Sequence, residues 1–220
     1  MKALTAKQII EKKRIIYDFN GRFLESFGKP EQNACWMIWG KSGNGKTHFV
    51  LSLVKYFAEK FGTVDYISLE EGDKQSFAIA LEHVKMNDVK RFRLFPPCTT
   101  EQVTERILKK KGANFVVIDS IQYSGISYTD HYRNKTSKLA KRKQVIYISH
   151  GNGNNPDGKT ADKIRYDADV KVHIIGFVAN VRSRYGGNKP FIIWEEGAKK
   201  YWGQKYNKVI SGKYWPGDKK

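Results

Sequence analysis

Eight consecutive residues, Gly40-Lys41-Ser42-Gly43-Asn44-Gly45-Lys46-Thr47, follow the spacing G-x-x-x-x-G-K-[ST] of a phosphate-binding loop. Each residue type answers a chemical need. Glycines let successive backbone N–H groups curl round an anion where a Cβ would block the turn. Lys46 has the reach and charge for the outer phosphates, and the Thr47 hydroxyl suits Mg²⁺. The implied chemistry is recognition of a nucleoside triphosphate with its metal ion.

Three carboxylates extend that chemistry. Asp119 closes the apolar run Phe115-Val116-Val117-Ile118, where it would hold Mg²⁺ through water. The next residue is Ser120, so a general base must come from elsewhere. Glu70 and Glu71 end the segment Tyr66-Ile67-Ser68-Leu69. At the carboxyl end of a strand they would face a ligand crevice, where a Glu can orient and deprotonate water. A solvated acidic strand end is the competing reading.

The elements that must position these groups are legible as alternating patterns. Residues 34–39 form an apolar run of strand length before the loop, and residues 48–61 read as a helix with Phe49, Leu53, Phe57 and Phe61 on one stripe. Strands are predicted over 64–69, 91–95, 115–118 and 145–149, with helices over 74–85, from Thr99 to about 111, and over 131–142. This alternation predicts an α/β fold with a mostly parallel sheet flanked by helices. Residues 151–163, rich in Gly, Asn, Asp and Lys, read as a long mobile loop. Antiparallel strands are expected over 170–175, 177–184 and 191–195, the last two joined by a turn at Gly186-Gly187-Asn188. Residues 5–27 read as an amphipathic helix broken near Asn20-Gly21, packing on its own domain or docking on a neighbouring subunit. The expected organisation is an N-terminal segment over 1–30, a core over 31–198 and a basic, aromatic tail over 199–220.

Composition narrows the setting. There are 40 Lys and Arg against 22 Asp and Glu, a net charge of +18 and a pI near 9.8. That imbalance favours a polyanionic partner, most simply nucleic acid, over a generally solvated basic surface. Cys35 and Cys98 are too far apart for a zinc ribbon, and Cys35 reads as a core residue. No run is apolar and long enough for a leader or a bilayer span, so a cytoplasmic location is expected.

With these residues in place, the chain resembles the RecA-core ATPase family, among whose members are RadA/Sms, KaiC and the motor domain of DnaB-type helicases. Ser68-Leu69-Glu70 is similar to the strand-end catalytic Glu motif of DnaB, and the Glu70-Glu71 doublet to that of RadA and KaiC. Val116-Val117-Ile118-Asp119-Ser120-Ile121-Gln122 resembles the RadA Walker B strand. Ser149-His150 falls where the family carries a γ-phosphate-sensing Gln or His, and Val181-Arg182-Ser183-Arg184-Tyr185-Gly186 is similar to the K-N-R-F-G and K-x-R motifs. The resemblance spans roughly residues 34–196. It departs from RadA in having no zinc ribbon and no Lon-like domain, from the helicases in having no N-terminal helicase domain, and from both in carrying Arg182 where a Lys is usual.

The resemblance implies a RecA-like core with Lys46 and Thr47 on phosphates and Mg²⁺, Asp119 supporting the metal, Glu70 with Glu71 activating water, and His150 sensing the γ-phosphate. Arg182 and Arg184, two apart on a strand and so on one face, would reach a neighbour's γ-phosphate; a DNA-facing basic strand is the alternative. The family's two DNA-binding loops correspond to residues 120–130, with Tyr123 and Tyr128, and 151–165, with Lys159, Lys163 and Arg165. Rings stacking on bases and cations following phosphates would suit single-stranded DNA.

The expected function is an ATP-dependent, DNA-binding ATPase of recombination or replication. It would act as a hexameric ring or filament with a partner protein, like the compact ATPases of phages and mobile elements. A nucleotide-gated scaffold or helicase loader with slow turnover is the second expectation. A small-molecule kinase is disfavoured for want of a lid or acceptor site.

Overall fold

The computed structural model describes residues 3–137 and 143–217. The elements run α1 (Ala6–Ile10), α2 (Gly21–Phe27), β1 (Trp36–Gly40), α3 (Lys46–Lys60), β2 (Val64–Ser68), α4 (Gln75–His83), β3 (Phe92–Phe95) and α5 (Thr100–Leu108). Then follow β4 (Phe115–Asp119), α6 (Tyr128–Thr136), β5 (Gln144–Asn152), β6 (Asn155–Pro156), α7 (Lys159–Asp167), β7 (Val170–Ile175), β8 (Val178–Ser183), β9 (Phe191–Ile192), α8 (Glu195–Trp202) and α9 (Tyr206–Ile210).

These build an α/β fold around a nine-stranded sheet in the order β3-β2-β4-β5-β1-β7-β8-β9, with β6 paired to β5. β3, β2, β4, β5, β1 and β7 run parallel, whereas β8 and β9 join antiparallel. Parallel strands are buried on both faces, which is why β1 and β4 are nearly unbroken apolar runs. Side chains alternate across β1. Trp36 and Ile38 pack with Phe49, Leu53 and Phe57 of α3, and Met37 and Trp39 with Val103 and Ile107 of α5 and Ile164 of α7. A reciprocal cap opens α5: Thr99 Oγ1 accepts from the Gln102 N–H, and Gln102 Oε1 accepts from the Thr99 N–H. Cys35 is buried, and burial pushes its thiol pKa up to about 12. Among the described residues, no helix is long and apolar enough to cross a membrane.

Three segments differ from expectation. Residues 5–27 do not form one helix. The chain between α1 and α2 pairs instead with the segment leading into β1, through an Ile16–Glu31 bridge and a Tyr17 N–H to Pro30 carbonyl bond of 2.9 Å. Tyr17 and Phe23 enter the core, while Ile9, Ile10 and Ile16 stay exposed. The stretch expected to be a mobile loop carries regular structure. β5 runs on to Asn152, turns into β6 and is followed by α7, because Ala161 and Ile164 recur at helical spacing and are buried. Residues 191–195 contribute only a two-residue strand before α8, whose Trp202 packs with Trp215 and Val178 against the sheet edge. The helix expected over 131–142 begins earlier, at Tyr128; its predicted end from 138 lies outside the described residues.

Candidate functional site

The loop after β1 is shaped by what surrounds it. At Gly40 a Cβ would run into the Ile174 carbonyl oxygen of β7, so the two backbones can lie this close only with glycine there. Gly43 and Gly45 hold φ of 75° and 93°, the left-handed region that turns the loop into α3. Asn44 fastens the loop. Its Nδ2 donates to the Lys41 and Ser42 carbonyls at 3.3 and 3.1 Å, and its Oδ1 accepts from the Gly176 N–H at 2.7 Å. The Phe177 N–H reaches the Asn44 carbonyl at 3.2 Å. Fifteen-residue α3 then starts with its unpaired N–H groups and positive dipole end at the loop.

A cleft of about 320 Å³ opens over this loop, lined by Ser42, Gly43, Gly45, Lys46, Thr47, Glu70, Glu71, Asp119 and His150, with His48 and Phe177 at its sides. Nine predicted residues thus meet from four separate chain segments. Lys46 Nζ donates to the Lys41 carbonyl at 3.2 Å, curled over the loop. Burial lowers its pKa, and Asp119, Glu70 and Glu71 pull it back up. Tyr66 Oη donates a hydrogen bond to Asp119 Oδ2. Burial pushes the Asp119 pKa up to about 6, with Glu70 and Glu71 adding to the rise while Tyr66 and Lys46 oppose it. Glu71 Oε2 accepts from Ser76 Oγ at 3.4 Å, which turns it toward α4. Glu70 Oε2 lies 3.1 Å from His150 Nε2, at ion-pair distance but without hydrogen-bond alignment.

The donor set suits magnesium. Among the described residues there is no group of three or more His, Cys, Asp and Glu side chains placed to hold a metal. Mg²⁺ needs no such cage: it takes hard oxygen ligands, keeps waters and shares phosphate oxygens. The Thr47 hydroxyl and the Asp119 carboxylate would supply the protein's part of such a site.

The remaining predicted residues fall in two other places. Tyr123 sits on a single turn after β4, exposed, its ring 6.2 Å from that of His150 and edge-on to it. Tyr128 begins α6, half-buried, with its hydroxyl donating to Asp167 at 2.9 Å and Lys163 Nζ 5.6 Å from its ring centre. Lys159 and Lys163 lie exposed on α7. Arg165, Arg182 and Arg184 line a second cleft of about 460 Å³, separate from the loop, over the face of β1, β7 and β8 between α7 and the C-terminal segment. They are not brought to the Lys46 cleft of their own chain.

Several roles at these sites were not read from the sequence, Asn44 having been named there only as a member of the loop. Tyr66 and Asn44 are ordinary residue types whose roles come only from the fold. Gln122 ties the site together: its Nε2 donates to Ser149 Oγ at 2.7 Å and to the Asp157 carbonyl at 2.8 Å, and its Oε1 accepts from the His150 N–H at 3.4 Å. Its signal was a polar amide three residues past a buried strand. Lys171 in the second cleft had one too, as a cation interrupting Val170, Val172 and Ile174.

In comparison with known proteins, no family model matches the chain, and no curated protein matches its sequence.

Proposed function

We propose that the protein is an ATP-dependent, DNA-binding ATPase of the RecA type, acting in recombination or replication as a ring or filament. The observation that carries this reading is the convergence of Lys46, Thr47, Glu70, Glu71, Asp119 and His150 on one cleft at the carboxyl ends of β1, β2, β4 and β5. That is where open α/β sheets bind ligands. β5 lies between β1 and β4, so His150 stands between the phosphate loop and the metal-supporting carboxylate.

In this reading the loop N–H groups and Lys46 hold the phosphates of ATP. A magnesium ion on Thr47 and Asp119 would neutralise charge building on the transferred group. Glu70 orients and deprotonates the attacking water. Arg182 and Arg184 act on the nucleotide of a neighbouring copy. Tyr123 stands beside His150, so single-stranded DNA stacked on its ring would be felt at the γ-phosphate sensor. The net charge of +18 supports the polyanion partner.

The test is ATP turnover with and without single-stranded oligonucleotide at low salt, where phosphate contacts are strongest. Stimulation is expected, and its absence counts against the reading. The Glu70–His150 contact favours a second reading, a nucleotide-gated scaffold or loader with slow turnover, because it engages the candidate base. Glu70→Gln separates the two: a motor loses its function and a scaffold keeps it.

A further inference from the structure

Two imidazoles that the proposed turnover does not use face one another across two helices. His48 lies in the first turn of α3, directly after Thr47, and His83 closes α4. His48 Nε2 stands 3.2 Å from His83 Nδ1, with ring centres 5.5 Å apart and the ring planes inclined by 35°. Both side chains are exposed. The partner of each ring is the other imidazole rather than a carboxylate.

The scaffold fixes this spacing. Phe77 and Ala80 of α4 are buried in one core with Leu51 and Val54 of α3. Two turns beyond His48, Lys55 Nζ donates to the Val84 and Lys85 carbonyls at 3.0 and 2.8 Å, which pins the end of α4 to α3. Lys85 holds a φ of 55°, so the chain leaves the helix just after His83. The two rings therefore meet on helices that are already held together.

As a hydrogen bond the pair uses one N–H and one lone pair, in a place where water competes for both. As two lone pairs it is a chelate. Two nitrogens bound to one tetrahedral cation at about 2.0–2.1 Å stand about 3.3 Å apart. The observed 3.2 Å matches that bite, and a small rotation of each ring brings both lone pairs onto one ion. Imidazole nitrogen selects zinc and neighbouring transition metals, whereas Mg²⁺ and Ca²⁺ take oxygen. Exposure gives the remaining positions to water.

We infer that His48 and His83 form a binding site for one divalent transition-metal ion of the zinc class, clasping α3 to α4. Among the described residues the pair has no third His, Cys, Asp or Glu placed to close the site, so the ion exchanges with solvent. His48 also walls the loop cleft, and α4 carries Ser76, which donates to Glu71. The ion thus joins the helix that opens at the loop to the helix that steadies one carboxylate of the cleft. The inference stands whether or not the chain turns over ATP.

Zinc titration of the metal-stripped protein tests it, read by stoichiometry and thermal unfolding. One Zn²⁺ should bind per chain. At free zinc about a hundred times Kd, the unfolding midpoint should rise by roughly 5–10 °C. His83→Gln keeps a hydrogen-bonding side chain at an exposed position, so it should fold with its metal-free midpoint little changed and lose that rise. His83→Cys should keep it, because a thiolate takes the place of the imidazole. Co²⁺ is a coloured probe of the same site. It should absorb in the visible with wild type and add a near-ultraviolet thiolate band with His83→Cys, a signature that packing alone does not produce. Mg²⁺ should not distinguish wild type from His83→Gln.

An unmoved midpoint in wild type overturns the inference and leaves the pair as a hydrogen bond between helices. An equal rise in wild type and His83→Gln also overturns it, since the ion then sits elsewhere. So does loss of the rise in His83→Cys, which would make the histidine a packing residue and not a ligand.

Discussion

His150 Nε2 lies 3.1 Å from Glu70 Oε2, joining the ends of two strands that β4 separates in the sheet. The contact places the candidate base against the candidate γ-phosphate sensor, with Gln122 bonded to the His150 backbone from the other side. Glu70→Gln keeps the shape and removes the basicity. Turnover should fall by about 10²–10⁴, the usual worth of a general base, with nucleotide affinity retained. Single-turnover hydrolysis alongside nucleotide titration checks both halves. His150→Ala should abolish the difference between turnover with and without oligonucleotide, read in the same assay.

Asn44 occupies a position that the phosphate-loop pattern leaves open, yet it bonds the loop to the β7–β8 turn at Gly176. Asn44→Ala leaves that N–H without its partner and should cost about 1–3 kcal/mol. In a chain of this size each kcal/mol is worth roughly 2–4 °C in Tm, so thermal unfolding resolves it. Nucleotide affinity should fall as well, because the loop loses its strut.

His131 is buried, with Nδ1 3.1 Å from Tyr147 Oη and Nε2 3.5 Å from Asp167. Burial lowers its pKa from 6.5 to about 4, against the pull of Asp167. Between those values the unfolded chain takes up a proton that the folded chain refuses, so this contribution to stability is complete above about 6.5 and is lost as pH falls toward 4. Asp119 has the opposite slope, because its raised pKa makes the fold bind a proton more readily between 3.8 and about 6. Comparison with His131→Gln cancels that term. Between pH 7 and pH 4.5 the wild type should lose roughly 2 kcal/mol more than the variant, measured by denaturant unfolding at each pH.

At Gly151 a Cβ would lie 2.7 Å from the Gly40 carbonyl carbon and 2.9 Å from the Lys41 nitrogen. Both neighbours are backbone, so they cannot swing aside. Gly151→Ala should force β5 away from β1, at about 1–3 kcal/mol, and weaken nucleotide binding more than a remote substitution of equal cost. Titration of both variants with a nonhydrolysable ATP analogue makes the comparison.

Much of this was readable from local pattern. The loop spacing, the apolar runs of β1 and β4 and the stripe of Phe49, Leu53 and Phe57 are each encoded within a few residues, and periodicity finds them. Asp119, Glu70 and His150 could be placed at strand ends, and the strand order then brings them together. What stayed hidden depends on distant partners. Residues 151–163 are locally loop-like, and α7 forms because Ala161 and Ile164 find a buried seat beside Met37 and Trp39. The isoleucines of α1 have helical spacing, but no part of the chain covers them. Tyr66 reaches Asp119 across two strands, a contact no sequence window contains.

β5 is nine residues long, the longest strand of the sheet, and it runs on past His150. Its backbone presents His150 to one cleft, and the hairpin that continues it carries Asn154 and Asn155 to the rim of the other. One continuous strand and its hairpin therefore border both clefts, so a shift of β5 along its axis would be felt at each.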